Sequence, residues 1–128
     1  MTFDVLVERT TAYDRIMRQV LLAALLAACG TSPDSRPATV EVISLEILAP
    51  TCGQVQCHST STAIQGYAFD TLEASKVALR DLVGGRGRAD LIEVLETTGG
   101  KRMPPDSPLD PQDIDLIKAW IAAGAQGL

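Results

Sequence analysis

The sequence contains one histidine, three cysteines and few charges of positive sign, and each scarcity narrows the possible functions. Because His58 is the only imidazole, a site that needs two histidines from this chain is excluded. The formal net charge of -5 argues against nucleic acid as a partner, since domains that bind nucleic acid present basic patches. At 128 residues the chain is long enough for one small domain and too short for two.

Aromatic residues are also scarce, at 4% of the chain, and beyond residue 28 they are Tyr67, Phe69 and Trp120. Ordering a chain costs about 1.5 kcal/mol per residue, which nearly cancels the apolar burial that a domain of this size achieves. We therefore expect an additional element that holds the domain together, and we expect Trp120 to fill the core.

No apolar run is long enough to cross a bilayer, which takes about 20 residues. Residues 19–28 instead resemble the apolar part of an export signal, and they follow Arg15 and Arg18. Small residues then precede Cys29, as a lipoprotein signal peptidase requires, so we predict a signal peptide at 1–28 and lipidation of Cys29. The alternative is a buried helix in which Cys29 is incidental. Acidic residues near the start suggest that 1–16 is an over-extended leader and that Met17 is the true start.

The predicted organisation after the signal peptide is a flexible tether at 29–38 and one domain at 39–128. Residues 30–38 are rich in Ser, Thr and Pro, which is typical of a linker. A multiply acylated Cys29 would hold the domain at a membrane surface. Export would also place the other two cysteines in an oxidising compartment.

The domain is predicted to be small and all-α. Apolar spacing favours a helix over 39–49, with Thr39 as N-cap and Pro50 as its end, although β-branched residues leave a strand as the alternative. Asp70 and Glu73 form a capping box for a second helix. A short third helix is predicted around residues 91–95, and the last begins at Asp110.

The most informative stretch is Cys52-Gly53-Gln54-Val55-Gln56-Cys57-His58. Two cysteines followed directly by a histidine predict covalent haem attachment, with two thioethers and His58 as the proximal iron ligand. Four residues separate the cysteines, so the loop must bulge, and Gly53 favours the bulge. The alternative is a Cys52–Cys57 disulfide with His58 as an ordinary polar residue. The spacing excludes a redox CxxC motif, and a zinc site lacks an obvious fourth ligand.

Met103 is the candidate for the second axial ligand. Met1 and Met17 fall in the leader, so Met103 is the only thioether expected in the mature protein. Pro104 and Pro105 follow it and stiffen its loop, as a fixed iron ligand requires. The alternative is that Met103 fills a gap in the core.

The remaining charged residues give weaker indications. Four basic residues lie in the loops beside the third helix: Arg86, Arg88, Lys101 and Arg102. They are predicted either to pair with haem propionates, to dock an acidic partner, or simply to be solvated. Four carboxylates are interpreted as surface and helix-start residues, and not as an acid/base pair: Asp106, Asp110, Asp113 and Asp115.

These motifs, taken in order, resemble the c-type cytochrome-like domains of secreted proteins and lipoproteins of planctomycetes and myxobacteria. The resemblance covers about residues 40–126 and rests on Ile47-Leu48-Ala49-Pro50, Cys57-His58-Ser59, Met103-Pro104-Pro105 and Trp120-Ile121-Ala122-Ala123-Gly124-Ala125. It implies a cytochrome c-like fold, one haem c attached at Cys52 and Cys57, and His58 and Met103 as axial ligands.

We therefore expect a monohaem electron-transfer protein that is not an enzyme. It would be lipid-anchored in a bacterial cell envelope, with the outer membrane favoured, its domain in the periplasm or at the cell surface, and redox proteins of the envelope as its partners. One alternative is a haem-free lipoprotein module that carries the Cys52–Cys57 disulfide and binds another envelope component. Another is a peroxidase-like enzyme or sensor with an open iron site.

Overall fold

The structure, a computed structural model, describes residues 34–83 and 90–128. The predicted signal peptide, Cys29, Arg86 and Arg88 lie outside these residues. The described residues form helices, turns and loops and contain no β-strand, which confirms the all-α class for this part of the chain.

The first helix, α1, covers residues 40–51 in three consecutive segments: an α-helical turn Val40–Val42, a π-helical segment Ile43–Leu48 and an α-helical turn Ala49–Thr51. The Thr39 hydroxyl accepts from the Val42 amide at 3.4 Å, so Thr39 is the predicted N-cap. The helix does not end before Pro50. The wide π-helical turn pairs Ala49 N–H with the Ser44 carbonyl, and Pro50 then occupies the first turn of the last segment, where its missing N–H costs little.

Helix α2 spans Leu72–Val83. Its N-cap is Thr71, whose hydroxyl accepts from the Ala74 amide at 3.2 Å. The predicted capping box of Asp70 and Glu73 is therefore wrong by one residue, because the Asp70 carboxylate binds Thr60 instead.

Helix α3 spans Leu91–Glu96, and Asp90 caps it by accepting from the amides of Ile92 and Glu93. A 3₁₀ turn, Gly99–Lys101, leads into the methionine loop. Helix α4 spans Pro111–Ala122, and it begins as the sequence predicts, with Asp110 accepting from the Gln112 amide and proline at the first helical position.

The core lies where the four helices meet. Helix α1 contributes Val40, Ile43, Ile47 and Leu48 at helical spacing, each at most 1% exposed. Trp120 of α4 is fully buried, as expected, and its indole N–H donates to the Gln126 carbonyl at 3.0 Å. The rest of this cluster comes from the other helices and their loops: Phe69, Ala78, Leu79, Leu82, Leu91, Leu95, Leu109, Leu116 and Ile117.

The segment 34–38, predicted as tether, is held against the domain. The Arg36 guanidinium bridges two carboxylates, at 2.6 Å from Asp34 and 2.5 Å from Asp113 in the first turn of α4. Ala38 packs against the core. The Arg36 guanidinium also lowers the pKa of Asp34.

Candidate functional site

A cavity of about 170 Å³ opens to solvent between α1, α2, α3 and the loops that follow α1 and precede α4. Apolar side chains from four elements form most of its wall: Leu48, Phe69, Leu82, Leu91, Val94 and Leu95. Cys52, His58 and Met103 line the same cavity. The fold therefore brings together three of the four residues that the sequence singles out within the domain.

Hydrogen bonds to backbone groups and one ring contact fix His58. Its Nδ1 atom lies 3.1 Å from the Tyr67 carbonyl oxygen, and the Phe69 amide donates to the His58 carbonyl at 2.7 Å. The rings of His58 and Phe69 meet edge to face, with centroids 5.6 Å apart. Because a carbonyl only accepts, Nδ1 carries the proton in this contact, and Nε2 keeps a lone pair for a metal.

Cys52 comes directly after the last turn of α1, and its amide donates to the Leu48 carbonyl at 2.7 Å. Its carbonyl accepts from the His58 amide at 3.1 Å, which closes the loop between them. Burial raises the pKa of the Cys52 thiol, against a weaker opposing effect of its hydrogen bond with Thr51.

Gly53 lets this loop pass close to the start of α2. A β-carbon at this position would lie 2.7 Å from the Ala49 carbonyl oxygen and 2.9 Å from the backbone nitrogen and α-carbon of Asp70. Real β-carbons do not make such contacts, so only glycine fits. The sequence indicated Gly53 for the bulge, and the structure adds the tight packing against Asp70.

Cys57 is half-buried and is not part of the cavity wall. Its amide donates to the Gln54 carbonyl at 2.8 Å, and its carbonyl accepts from the Ile64 amide at 3.3 Å. Cys52 and Cys57 are both free thiols, with no bond between them. The structure therefore places Cys52 at the cavity and Cys57 in the loop beside it.

Met103 approaches the cavity from the loop between α3 and α4. Its amide donates to the Val94 carbonyl at 2.9 Å, which ties the loop to α3. The side chain is 38% exposed, so it lies at the mouth and not in the packed core. This position favours a contact with a ligand over a gap-filling role.

The basic residues near the mouth differ in what they contact. Lys101 lines the cavity, whereas the Arg102 guanidinium folds back on its own loop and donates to the carbonyls of Pro104 and Pro105. Of these two residues, Lys101 is therefore the one placed to contact a molecule bound in the cavity.

The donor set fits a haem better than a bare metal ion. Within residues 34–83 and 90–128, no group of three His, Cys, Asp or Glu side chains is placed to hold a metal. An imidazole with its Nδ1 engaged, a thioether and an apolar wall are the groups that a haem uses. The cavity, at about 170 Å³, is smaller than the roughly 300–1,000 Å³ of typical ligand pockets.

Sequence reasoning missed the Tyr67 carbonyl and the contact between Thr60 and Asp70. A backbone carbonyl carries no residue signature, so the partner of His58 has no sequence signal. Asp70 did stand out, but as a helix cap.

Among the described residues, no helix has the length and apolar character needed to cross a membrane. Comparison of the chain with protein-family models, with curated proteins and with solved structures finds no match.

Proposed function

We propose that the chain is an electron-transfer protein that carries one covalently attached haem c, with His58 and Met103 as axial ligands. The observation that supports this most is that His58 and Met103, which come from two separate loops, line one apolar cavity together with Cys52. When bound, a haem supplies a one-electron iron couple, and His/Met ligation raises its reduction potential.

Each residue has a distinct task in this proposal. His58 presents Nε2 because the Tyr67 carbonyl holds Nδ1. Met103 presents its thioether from a loop that its amide fixes to Val94. Cys52 and Cys57 would hold the haem through thioethers, whose formation is a net addition of S–H across a vinyl group and needs no oxidant. The wall of the cavity is mostly apolar, as a haem requires.

The location of the protein belongs to the same proposal. The leader and Cys29 support export and lipidation in a bacterial envelope, with redox proteins of that envelope as partners. The domain would then face the periplasm or the cell surface, and the outer membrane is favoured. We expect Cys29→Ala to move the protein from the membrane fraction to the soluble fraction while its absorption spectrum stays unchanged.

The decisive experiment is expression of the full chain in a host that exports lipoproteins and attaches haem c. We expect red protein whose intact mass contains one haem that acid extraction does not remove, and a sharp absorption band after reduction with dithionite. A Cys52→Ala, Cys57→Ala double variant is the control, and it should carry no covalent haem. Colourless protein that has lost two protons would instead indicate the disulfide-linked lipoprotein module.

A second measurement separates electron transfer from an open iron site. In the ferric protein, Met103→Ala should abolish the near-infrared band that arises from methionine ligation. A ferric spectrum that does not change on this substitution would contradict the Met103 assignment and favour a peroxidase-like or sensor site.

A further inference from the structure

Residues 58–60 and 67–70 are joined by a set of hydrogen bonds that we term the ligand clamp. The first two contacts involve His58 itself, through the Tyr67 carbonyl at 3.1 Å and the Phe69 amide at 2.7 Å. The third involves Asp70, whose Oδ2 accepts from the Thr60 amide at 2.9 Å and from the Thr60 hydroxyl at 2.8 Å.

Asp70 is the charged member of the ligand clamp, and it accepts both hydrogen bonds from Thr60 through its side chain. The hydrogen bonds at His58, Tyr67 and Phe69 use at least one backbone group that no substitution removes. The Asp70 carboxylate closes the far end of the clamp, and its backbone lies against Gly53 on the other side of the loop. Asp70 therefore contacts the loop that carries His58 at two places, through its backbone at Gly53 and through its side chain at Thr60.

The Asp70 carboxylate is partly shielded from solvent. Its Oδ1 atom is shielded from solvent and has no hydrogen-bond partner among the described residues. The amide and hydroxyl of Thr60 lower the pKa of Asp70 below its ordinary value, so the carboxyl is ionised at neutral pH. A carboxylate with one shielded oxygen is screened less by water and salt than a fully exposed charge.

We propose that Asp70 positions His58 and holds down the reduction potential of the iron site, an inference that rests on the proposed function. Two effects act together. The carboxylate keeps the loop of His58 in register with residues 67–70. Its negative charge would stabilise the more positive ferric state of a bound haem relative to the ferrous state.

Two substitutions separate these effects. Asp70→Asn removes the charge and keeps an oxygen that accepts from Thr60, whereas Asp70→Ala removes both. The matched control is Glu73→Gln, which makes the same change of charge on an exposed side chain in the first turn of α2.

The reduction potential of the haem-loaded protein tests the charge. We expect Asp70→Asn to shift the ferric-to-ferrous equilibrium toward the ferrous state by on the order of tenfold, which is about 59 mV for a one-electron couple. Glu73→Gln should shift it by less than about twofold, because water and salt screen an exposed charge. Equal shifts in the two variants would overturn the role of Asp70 in setting the potential.

Amide hydrogen exchange tests the positioning, and it needs no haem. In the haem-free Cys52→Ala, Cys57→Ala background, the Phe69 amide that donates to His58 should stay protected in Asp70→Asn and exchange at least tenfold faster in Asp70→Ala. Unchanged protection in Asp70→Ala, with its fold verified by circular dichroism, would overturn the positioning role.

These outcomes are distinguishable from failure of the proposed function. If wild-type protein carries no haem, the proposed function fails, and the exchange experiment still decides whether Asp70 holds the His58 loop. If wild-type protein carries haem and Asp70→Asn behaves like Glu73→Gln, the proposed function stands and the inference on the potential fails.

Discussion

The backbone of Gly53 lies so close to that of Asp70 that a β-carbon on Gly53 would come within 2.9 Å of the Asp70 nitrogen and α-carbon. Two segments that are distant in sequence, the end of α1 and the start of α2, are thereby packed at backbone distance. The loop that carries His58 begins at Gly53, so its path depends on the absence of a side chain at this position.

We expect Gly53→Ala to destabilise the domain by about 1–3 kcal/mol, the usual cost of overpacking. The measurement is the free energy of unfolding in urea. Gly100→Ala is the control, because a β-carbon there meets nothing within 4 Å and no unusual backbone angle is present. Equal stability of the Gly53→Ala variant and the wild-type protein would contradict the close approach.

The pH dependence of stability should reveal the hydrogen bonds of Asp70. In the folded protein the pKa of Asp70 lies below its ordinary value of 3.8, because the amide and hydroxyl of Thr60 stabilise the carboxylate. As the pH falls, the unfolded chain binds this proton first, so the contribution of Asp70 to stability is complete above the unfolded pKa and disappears as the pH falls through the folded pKa.

Urea midpoints measured between about pH 2 and pH 6 check this prediction. The wild-type protein should lose stability more steeply with falling pH than Asp70→Asn, which has no proton to bind at this position. Parallel curves for the two proteins would show that Asp70 has the same pKa in the folded and unfolded states.

The ion pairs of Arg36 should matter modestly and in a salt-dependent way. The charged side chains are 16–31% exposed, so we expect Arg36→Ala to lower the urea midpoint slightly at low salt and less at high salt. Lys118→Ala is the control, since it removes a more exposed pair with Glu96 and should change the free energy of unfolding little. A cost for Arg36→Ala that does not change with salt would point to lost packing instead.

Replacing Met103 should change the reduction potential of the haem in a known direction. Methionine ligation raises the reduction potential relative to histidine, so Met103→His should lower the potential of the haem-loaded protein by at least about 59 mV, or tenfold in the equilibrium constant. Potentiometric titration measures this, and a bis-histidine spectrum should accompany it. Met103→Leu, which offers no ligand, is the control. A potential that is the same in all three proteins would exclude Met103 as a ligand.

The last helix shows what the sequence is sufficient to predict. Asp110, Pro111 and the apolar spacing act locally, and the structure confirms a helix at Pro111–Ala122 with Asp110 as its cap. The fully buried Trp120 follows from the same pattern. All-α class and helix order could be predicted because capping and periodicity depend on neighbouring residues.

Asp70 shows why other features could not be predicted. Both Asp70 and Thr71 are competent N-caps, and the distant donors of Thr60 decide between them by binding Asp70. The same holds for Pro50, where a π-helical turn several residues earlier lets α1 continue to Thr51. In each case the competing interaction comes from a residue that no local pattern identifies.

At the site, the sequence predicted the residue types better than their arrangement. Cys52, His58 and Met103 share a cavity, as one ligand would require, yet Cys57 is absent from its wall. The four-residue spacing between the cysteines fixes how far apart they are in the chain. It does not determine which of them points toward the cavity, because that depends on how the loop packs against Gly53 and Asp70.

The docking of 34–38 through Arg36 has a practical consequence for protein engineering. A recombinant fragment that starts at Thr39, where the first helix is capped, would discard the guanidinium and leave Asp113 without its cation. A fragment that starts at Asp34 keeps both carboxylates and their shared arginine. Fusions and transplants of this module should therefore be joined upstream of Asp34.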